Sequence, residues 1–477
     1  MDYYPVNEYG PIMPGLVMAG VAIVHVFLAQ FAVGAGIVLC YFQWQAMQEK
    51  SGLGKSESAR VFIHGYFKVL VMVSFVLGAL TGVAIWLTAI QVGPHTIQLM
   101  VQHFHWIWGI EWTFFCLEIV SGYCFYRYHE RLTDREGLTL LVIYALASWG
   151  SLFWINGILS WQLTPGVWLN SENVWDGLFN PSFWPSLIFR TIVALCLASL
   201  AACVVINLMP GTSREVREEL VHQVAKFLLP MAGMPVVGIW YLMVMPADSR
   251  SWITGGSAAM TLFLNGAIAA SLAVGGYALI GMVYQKLYIN GATATLLLLL
   301  AFGATAGGEF VREGSRKPFT IRGRMYSNGV PMDRVTRMRR VGVTLEDPFP
   351  LRRKKELPDS QVFYGGMTYR TLCSSCHTID GMNGLTHLIA TWDLDQMRHN
   401  ISKLQQTKPF MPPFAGTAKE LESLVQFLAW CRAGRPDEWV SDTNEREVVK
   451  IQLWMNEAGS KPTIIGERLT NSGEVPR

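Results

Sequence analysis

The chain has 477 residues, 51% hydrophobic and only 15% charged, with a formal net charge of +3. That is too apolar for a soluble protein of this length and fits a polytopic membrane protein. The charges are segregated along the chain, so the net value says little, and no nucleic-acid partner is expected. The eight cysteines show no spacing of a disulfide framework, and the opening Met-Asp-Tyr-Tyr-Pro lacks the basic segment of a cleavable signal peptide.

A helix that spans a bilayer needs about 20 mostly apolar residues. Runs of this kind lie near 16–42, 67–92, 104–126, 138–161, 184–209, 225–246, 257–284 and 290–311. They predict an all-α fold, a polytopic bundle of about eight spans in the lipid bilayer, followed by a smaller helical domain. The loops after the first, third, fifth and seventh runs carry Lys50, Lys55, Arg60, Arg127, Arg131, Arg135, Arg214, Arg217, Lys226 and Lys286. The N-terminus and the other loops carry only Arg250. Positive residues stay in the cytoplasm, so both the N-terminus and the segment after the last span are expected outside, in the periplasm of a bacterial cell. The twelve Lys and Arg within 314–358 point the other way. Long translocated segments largely escape the rule, which is why they weigh less. The expected divisions are a membrane part over 1–313, a basic linker over 314–359, a compact helical domain over 360–435 and a polar tail over 436–477.

The compact domain opens with Cys373-Ser-Ser-Cys376-His377, and Met411-Pro-Pro-Phe follows. CxxCH is the attachment signature of a c-type haem, in which two thioethers hold the porphyrin and the adjacent His is an axial ligand. Gly366-Met-Thr-Tyr369-Arg-Thr-Leu-Cys373 resembles the opening of a class I cytochrome c. That resemblance implies covalent haem c, with His377 and Met411 as its metal ligands and electron transfer as its task. A zinc site would need a second ligand pair, and none is spaced for it. His387 and His399 read as surface residues. Leu421, Leu424, Val425 and Leu428 form the stripe of an amphipathic helix.

Ionisable residues inside spans are costly and mark function. His25 falls about nine residues into the first span and Glu111 about seven into the third, so at about 1.5 Å per residue they share one depth in the outer half. Glu118 lies two turns beyond Glu111 on roughly the same face, and the two could form a proton-conducting column. Glu313 ends the last span. A His with several carboxylates suggests a buried cofactor supplied with protons. For a lone His, the reading as a hydrogen-bonded core residue would win.

His25-Val-Phe-Leu-Ala-Gln-Phe-Ala-Val-Gly resembles the first helix of subunit I of cytochrome bd oxidases, and Glu111-Trp-Thr-Phe-Phe-Cys-Leu-Glu118 its third. Asn156 with Ser160-Trp161-Gln162-Leu-Thr-Pro165-Gly166, and Glu313-Gly-Ser-Arg316-Lys-Pro318-Phe319, are similar to two further motifs of that family. The resemblance covers roughly 10–325, and each motif is imperfect. It implies His25 as ligand of an O2-reducing high-spin haem, b or d. It implies Glu313 at a second high-spin haem, Glu111 and Glu118 at the iron and the proton path, and Trp161 and Arg316 at porphyrin edges or propionates. Trp161 reads equally as an interfacial belt residue, and Arg316 as a partner of lipid phosphate.

The departures count against the family's low-spin b haem. Its His ligand is replaced by Arg190 in Leu187-Ile-Phe-Arg190-Thr191. For its Met ligand only Met260 and Met282 are at hand. The quinol-binding loop shrinks to about ten residues near 247–256, and the family's ninth helix is missing. The first expectation is therefore a bd-like terminal oxidase subunit that takes electrons through haem c, from a periplasmic cytochrome c or from quinol. It would sit beside a second membrane subunit and other respiratory subunits. Two alternatives stand: an electron-transfer subunit without O2 chemistry, and a haem-poor anchor for a cytochrome.

Overall fold

The structure is a computed structural model that describes residues 9–48, 55–346 and 358–462. Lys50, residues 347–357 of the expected linker and residues 463–477 of the expected tail lie outside these. Two units are distinguishable: 21–85 with 100–315, and 1–20 with 86–99 and 316–477.

The first unit is built from long apolar helices: α1 (Pro14–Gln48), α2 (Glu57–Val92), α3 (Pro94–Tyr128), α4 (Asp134–Trp161), α5 (Phe183–Leu208), α6 (Arg214–Val244), α7 (Ala258–Tyr284) and α8 (Gly291–Ser315). Among the described residues seven are long and apolar enough to cross a membrane. The remaining expected span, the third, 104–126, lies within the 35 residues of α3. Its hydropathy is lowered by the polar groups that make it interesting, among them His103, His105, Glu111 and Glu118. The chain is thus a multi-pass membrane protein with an all-α fold.

Of these spans α5 is the most enclosed by its neighbours, whereas α2 and α6 are largely exposed. Hydrocarbon gives helices no hydrophobic drive to associate, so close contact is made by small residues. Gly34 of α1 lies so near α5 that a Cβ there would fall 2.0 Å from the Ala194 carbonyl oxygen. Gly307 of α8 meets the Phe263 carbonyl of α7 in the same way, at 3.1 Å. Leu80, Val83, Leu87, Val236 and Leu262 are left exposed, as lipid-facing side chains must be. Two departures from regular helix matter later. Helix α2 passes through a π-helical segment, Val71–Gly78, and α3 kinks at Phe104. Single π turns are frequent at functional sites.

The second unit contains the cytochrome-like domain. Helix α9 (Ser360–Leu372) crosses α11 (Ala418–Arg432), and Gly365 permits the crossing: a Cβ would lie 2.0 Å from the Ser423 carbonyl oxygen. Leu421, Leu424, Val425 and Leu428 are all buried. Helix α10 (Leu394–Ser402) lies between them in the chain, and Arg398 on it is buried in a bidentate bond to Glu422 at 2.7 and 2.8 Å.

The segment read as a linker differs from that expectation over 316–346. It forms a two-stranded antiparallel ribbon, β1 (Phe319–Ile321) with β2 (Met325–Tyr326), followed by short helices. Phe319, Tyr326, Val330, Val335, Met338 and Val343 enter the same core as Leu372, Phe414 and Leu421. The stretch read as a tail also contributes a helix, α12 (Glu445–Ala458), whose Ile451 and Met455 are fully buried. The start of α1 belongs to this unit as well: Pro11 accepts from the Met382 amide at 2.8 Å, and Gly15 donates to the Ser375 carbonyl at 3.3 Å.

Candidate functional site

Asp359 caps α9 through the Val362 amide at 2.7 Å, and the helix runs directly into Cys373. Cys373 and Cys376 are free thiols on the tight turn that follows. Burial pushes the Cys373 thiol up to about 12. The Nδ1 of His377 lies 3.0 Å from the Asn383 carbonyl oxygen. A carbonyl only accepts, so Nδ1 carries the proton and Nε2 keeps the lone pair that binds a metal. Asn383 sits at φ +54°, where Asn is tolerated, and its side chain donates to the Cys376 carbonyl at 2.8 Å. Tyr369 braces the same turn through a 2.8 Å bond to the His377 carbonyl. Burial also holds the His377 imidazole below its ordinary pKa, which favours the neutral, ligating form.

Met411 is half-buried on a turn closed by its own amide to Lys408 at 2.8 Å. Three residues on, Phe414 enters the core, and Arg339 clamps its carbonyl at 2.9 Å while also reaching the Met455 carbonyl at 3.1 Å. Arg339 belongs to the stretch read as a linker, and composition gave no sign of this role. His387 is exposed, whereas His399 is half-buried with its ring edge-on to Trp454 at 5.1 Å.

In the membrane unit, His25 of α1 places Nδ1 3.0 Å from the Thr81 hydroxyl of α2. That hydroxyl donates back to the Leu77 carbonyl at 2.8 Å, so it accepts from His25 and leaves Nε2 as the ligating nitrogen. Thr81 and Gly82 lie within one turn of the end of the π-helical segment. A Cβ at Gly82 would lie 3.4 Å from the imidazole, so glycine keeps room beside the ring. This arrangement fits a haem ligand.

Glu111 and Glu118 of α3 both face α4. Ser151 donates to Glu111 at 2.6 Å, and Glu118 is buried beside Tyr144, Ser148 and, from α2, Ser74. Tyr144, Ser148 and Ser151 fall at the i, i+4, i+7 spacing of one helix face. Hydroxyls on one face of α4 thus line the stretch between the two carboxylates, which lie about 10 Å apart along the helix.

Trp161 is fully buried, which removes the reading of an interfacial belt residue. It meets Trp168 edge-on at 4.7 Å and Phe104, at the kink of α3, at 5.0 Å. The indole nitrogens of Trp161 and Trp168 are both buried without a hydrogen-bond partner among the described residues. Two such donors side by side fit the polar edge of a bound group. Glu313 is half-buried on the last turn of α8, and Arg316 is buried with Nη1 3.4 Å from the Thr320 carbonyl.

Arg190 has another occupation. It donates to Glu309 of α8 at 3.1 Å, and Arg312 donates to the other oxygen of the same carboxylate at 2.7 Å. Glu309 escaped the sequence reading, although a carboxylate one turn before Glu313 inside an apolar run was the signal. Met260 packs against Gly314, where a Cβ would lie 2.3 Å from its sulfur, and Met282 is buried in the apolar core. A low-spin haem held by a His on α5 does not fit these residues, since the guanidinium in that place is ion-paired.

Residues 364–428 match the family model described as cytochrome c oxidase, cbb3-type, subunit III. Among solved structures, the bd oxidase from Geobacillus thermodenitrificans is similar in fold to the membrane part. Its TM-score is 0.57 at 15% identity, over 66% of this chain and 90% of that one. Comparison with curated proteins gives no match. The chain is a fusion of a membrane bundle with a bd oxidase-like fold and a C-terminal cytochrome c-type domain, a redox protein of the membrane electron-transfer class.

Proposed function

We propose that this chain is the catalytic subunit of a bd-like terminal oxidase that receives electrons through its own haem c. Cys373 and Cys376 would hold the haem covalently, and His377 and Met411 would be its iron ligands. His25 would ligate a high-spin haem, b or d, in the membrane part. Such a haem would supply the O2-reducing chemistry, in which four electrons and four protons turn one O2 into two waters. The protein's part would be to orient His25 through Thr81, to deliver protons along Glu118 and Glu111, to meet porphyrin edges or propionates with Trp161 and Arg316, and to place Glu313 at a second high-spin haem.

The observation that carries this reading is the pairing of Arg190 with Glu309. The position that the resemblance assigns to the low-spin haem ligand holds an ion pair, while His25 is oriented by Thr81. The point of electron input has then shifted from quinol and a low-spin haem to haem c, and the donor is a periplasmic cytochrome c. Loop charge supports an orientation with the N-terminus and the cytochrome domain outside the bacterial cytoplasmic membrane. A second membrane subunit completes the assembly.

The test is a pyridine haemochrome count joined to a CO difference spectrum and O2 uptake with reduced cytochrome c. The reading expects one covalent haem, at least one CO-binding haem and cytochrome c-driven uptake. A chain with haem c alone, or one that binds no CO and is reduced by quinol, sinks it.

A further inference from the structure

A cavity of about 220 Å³ opens at the ends of α1 to α4 that carry the basic loops. It lies far along these helices from Glu111, and nothing in the proposed redox chemistry uses it. Two imidazoles line it, His64 of α2 and His129 just after α3, with ring centroids 5.0 Å apart. Arg60 grips Asp134 at the start of α4 through two bonds of 2.6 and 2.7 Å, and Gln43 of α1 donates to the Asp134 carbonyl at 3.2 Å. These bonds tie α1, α2 and α4 together around the opening.

The inner wall is the ring pair Phe67 and Phe125, 4.8 Å apart. Beyond it, on the same helices, polar groups resume. Ser121 is buried one turn from Glu118, with its hydroxyl 3.1 Å from the Glu118 carbonyl oxygen. Tyr144 and Ser74 flank the carboxylate from α4 and α2. By helical rise His129 and Glu118 are about 16 Å apart along α3, with Ser121 between them and the Phe67–Phe125 ring pair as the barrier that water has to pass. A carboxylate buried in a membrane bundle conducts protons only if something outside supplies them. His129 stands at the aqueous end of the α3 face that also carries Phe125, Ser121 and Glu118.

Resting on the oxidase reading above, we propose that His64 and His129 form the cytoplasmic proton-collecting mouth of a route to Glu118. A proton taken from bulk water by an imidazole passes to Glu118 and on through Ser148 and Ser151 to Glu111. Each proton delivered meets one electron from the donor, four of each per O2. The groups facing His64 are Arg60 and Lys68 on its own helix, His129 and Glu130 after α3, and Asp134 on α4. Two imidazoles this close also suit a divalent zinc ion, which would block the mouth.

The experiment uses the full protein solubilised in detergent, where donor and Zn2+ reach both faces, with His64→Gln, His129→Gln and the double variant. Turnover with reduced cytochrome c and O2, its inhibition by Zn2+ added alone, and the CO difference spectrum are read on each. The expected result is a turnover about tenfold lower in the double variant with an unchanged CO spectrum, and loss of the parent's Zn2+ inhibition. Unchanged turnover and unchanged Zn2+ response, with CO binding intact, overturn the proposal. A parent that binds no CO and takes up no O2 overturns the oxidase reading, and the route falls with it because it then has no reaction to serve.

Discussion

Replacing Glu309 by Ala should destabilise the membrane unit more than any single change at its two partners. The carboxylate bonds Arg190 at 3.1 Å and Arg312 at 2.7 Å, and the three side chains are only 9%, 14% and 22% exposed. At an effective dielectric near 20, opposite charges about 3 Å apart attract by roughly 5 kcal/mol each, before desolvation is subtracted. Removing Glu309 leaves two guanidiniums in an apolar bundle with their common counter-ion gone. Breaking a buried pair in this way costs about 3–5 kcal/mol. Arg190→Ala is different, because Glu309 keeps Arg312, and only one charged hydrogen bond of about 1.5–3 kcal/mol is lost. In the double variant Arg190→Ala/Glu309→Ala the orphaned Arg190 is absent, so its cost should fall below the sum of the singles by more than about 1 kcal/mol. The assay is SDS-driven unfolding of purified protein in mixed micelles, followed by tryptophan fluorescence. If Arg190→Ala costs as much as Glu309→Ala, or the two changes add, the shared carboxylate is not what holds the site and the reasoning fails.

His25→Ala should abolish the CO difference spectrum and leave haem c absorbance in place, whereas Thr81→Val, which removes the acceptor for Nδ1, should weaken retention of the non-covalent haem about 10–100-fold. Visible spectra of the two variants, with haem released into detergent as the retention measure, check this. Arg339→Ala should free the Phe414 carbonyl and loosen the turn that carries Met411, so the haem c potential falls and a high-spin fraction appears, as in Met411→Ala but more weakly; a redox titration that shows no change refutes the clamp. Arg398→Ala leaves Glu422, 1% exposed, without its bidentate partner, and should cost the cytochrome domain about 3–5 kcal/mol, seen as a lowered midpoint for loss of the folded haem c spectrum.

What the sequence made legible has a common physical origin, and so does what it hid. Covalent and helical regularities are local, so they show in one dimension. The CxxCH turn, the buried stripe on α11, the apolar runs and the intramembrane His25, Glu111 and Glu118 were all readable from spacing. Partnerships across distant segments were not. Arg190 read as the loss of a histidine, and only α8, about 119 residues away, shows that the position gained a carboxylate.

The basic stretch after α8 shows the same limit from the other side. Its Pro and Arg content reads as a solvated linker, since composition cannot tell a repelling charge from a clasping one. In the fold Arg339 holds two carbonyls, and the Glu420 carboxylate accepts from the Val343 and Thr344 amides at 3.0 and 3.1 Å and from the Thr417 amide at 2.8 Å. Glu420 is thus both a helix cap of α11 and the anchor of the strap that crosses it. The consequence is functional as well as structural. A strap that is bonded to the turn bearing Met411 couples the ligand environment of the cytochrome domain to the chain segment leaving α8. If it were a flexible tether, changes at Arg339 or Glu420 would leave the haem c potential untouched; because it is part of the domain's core, they should move it.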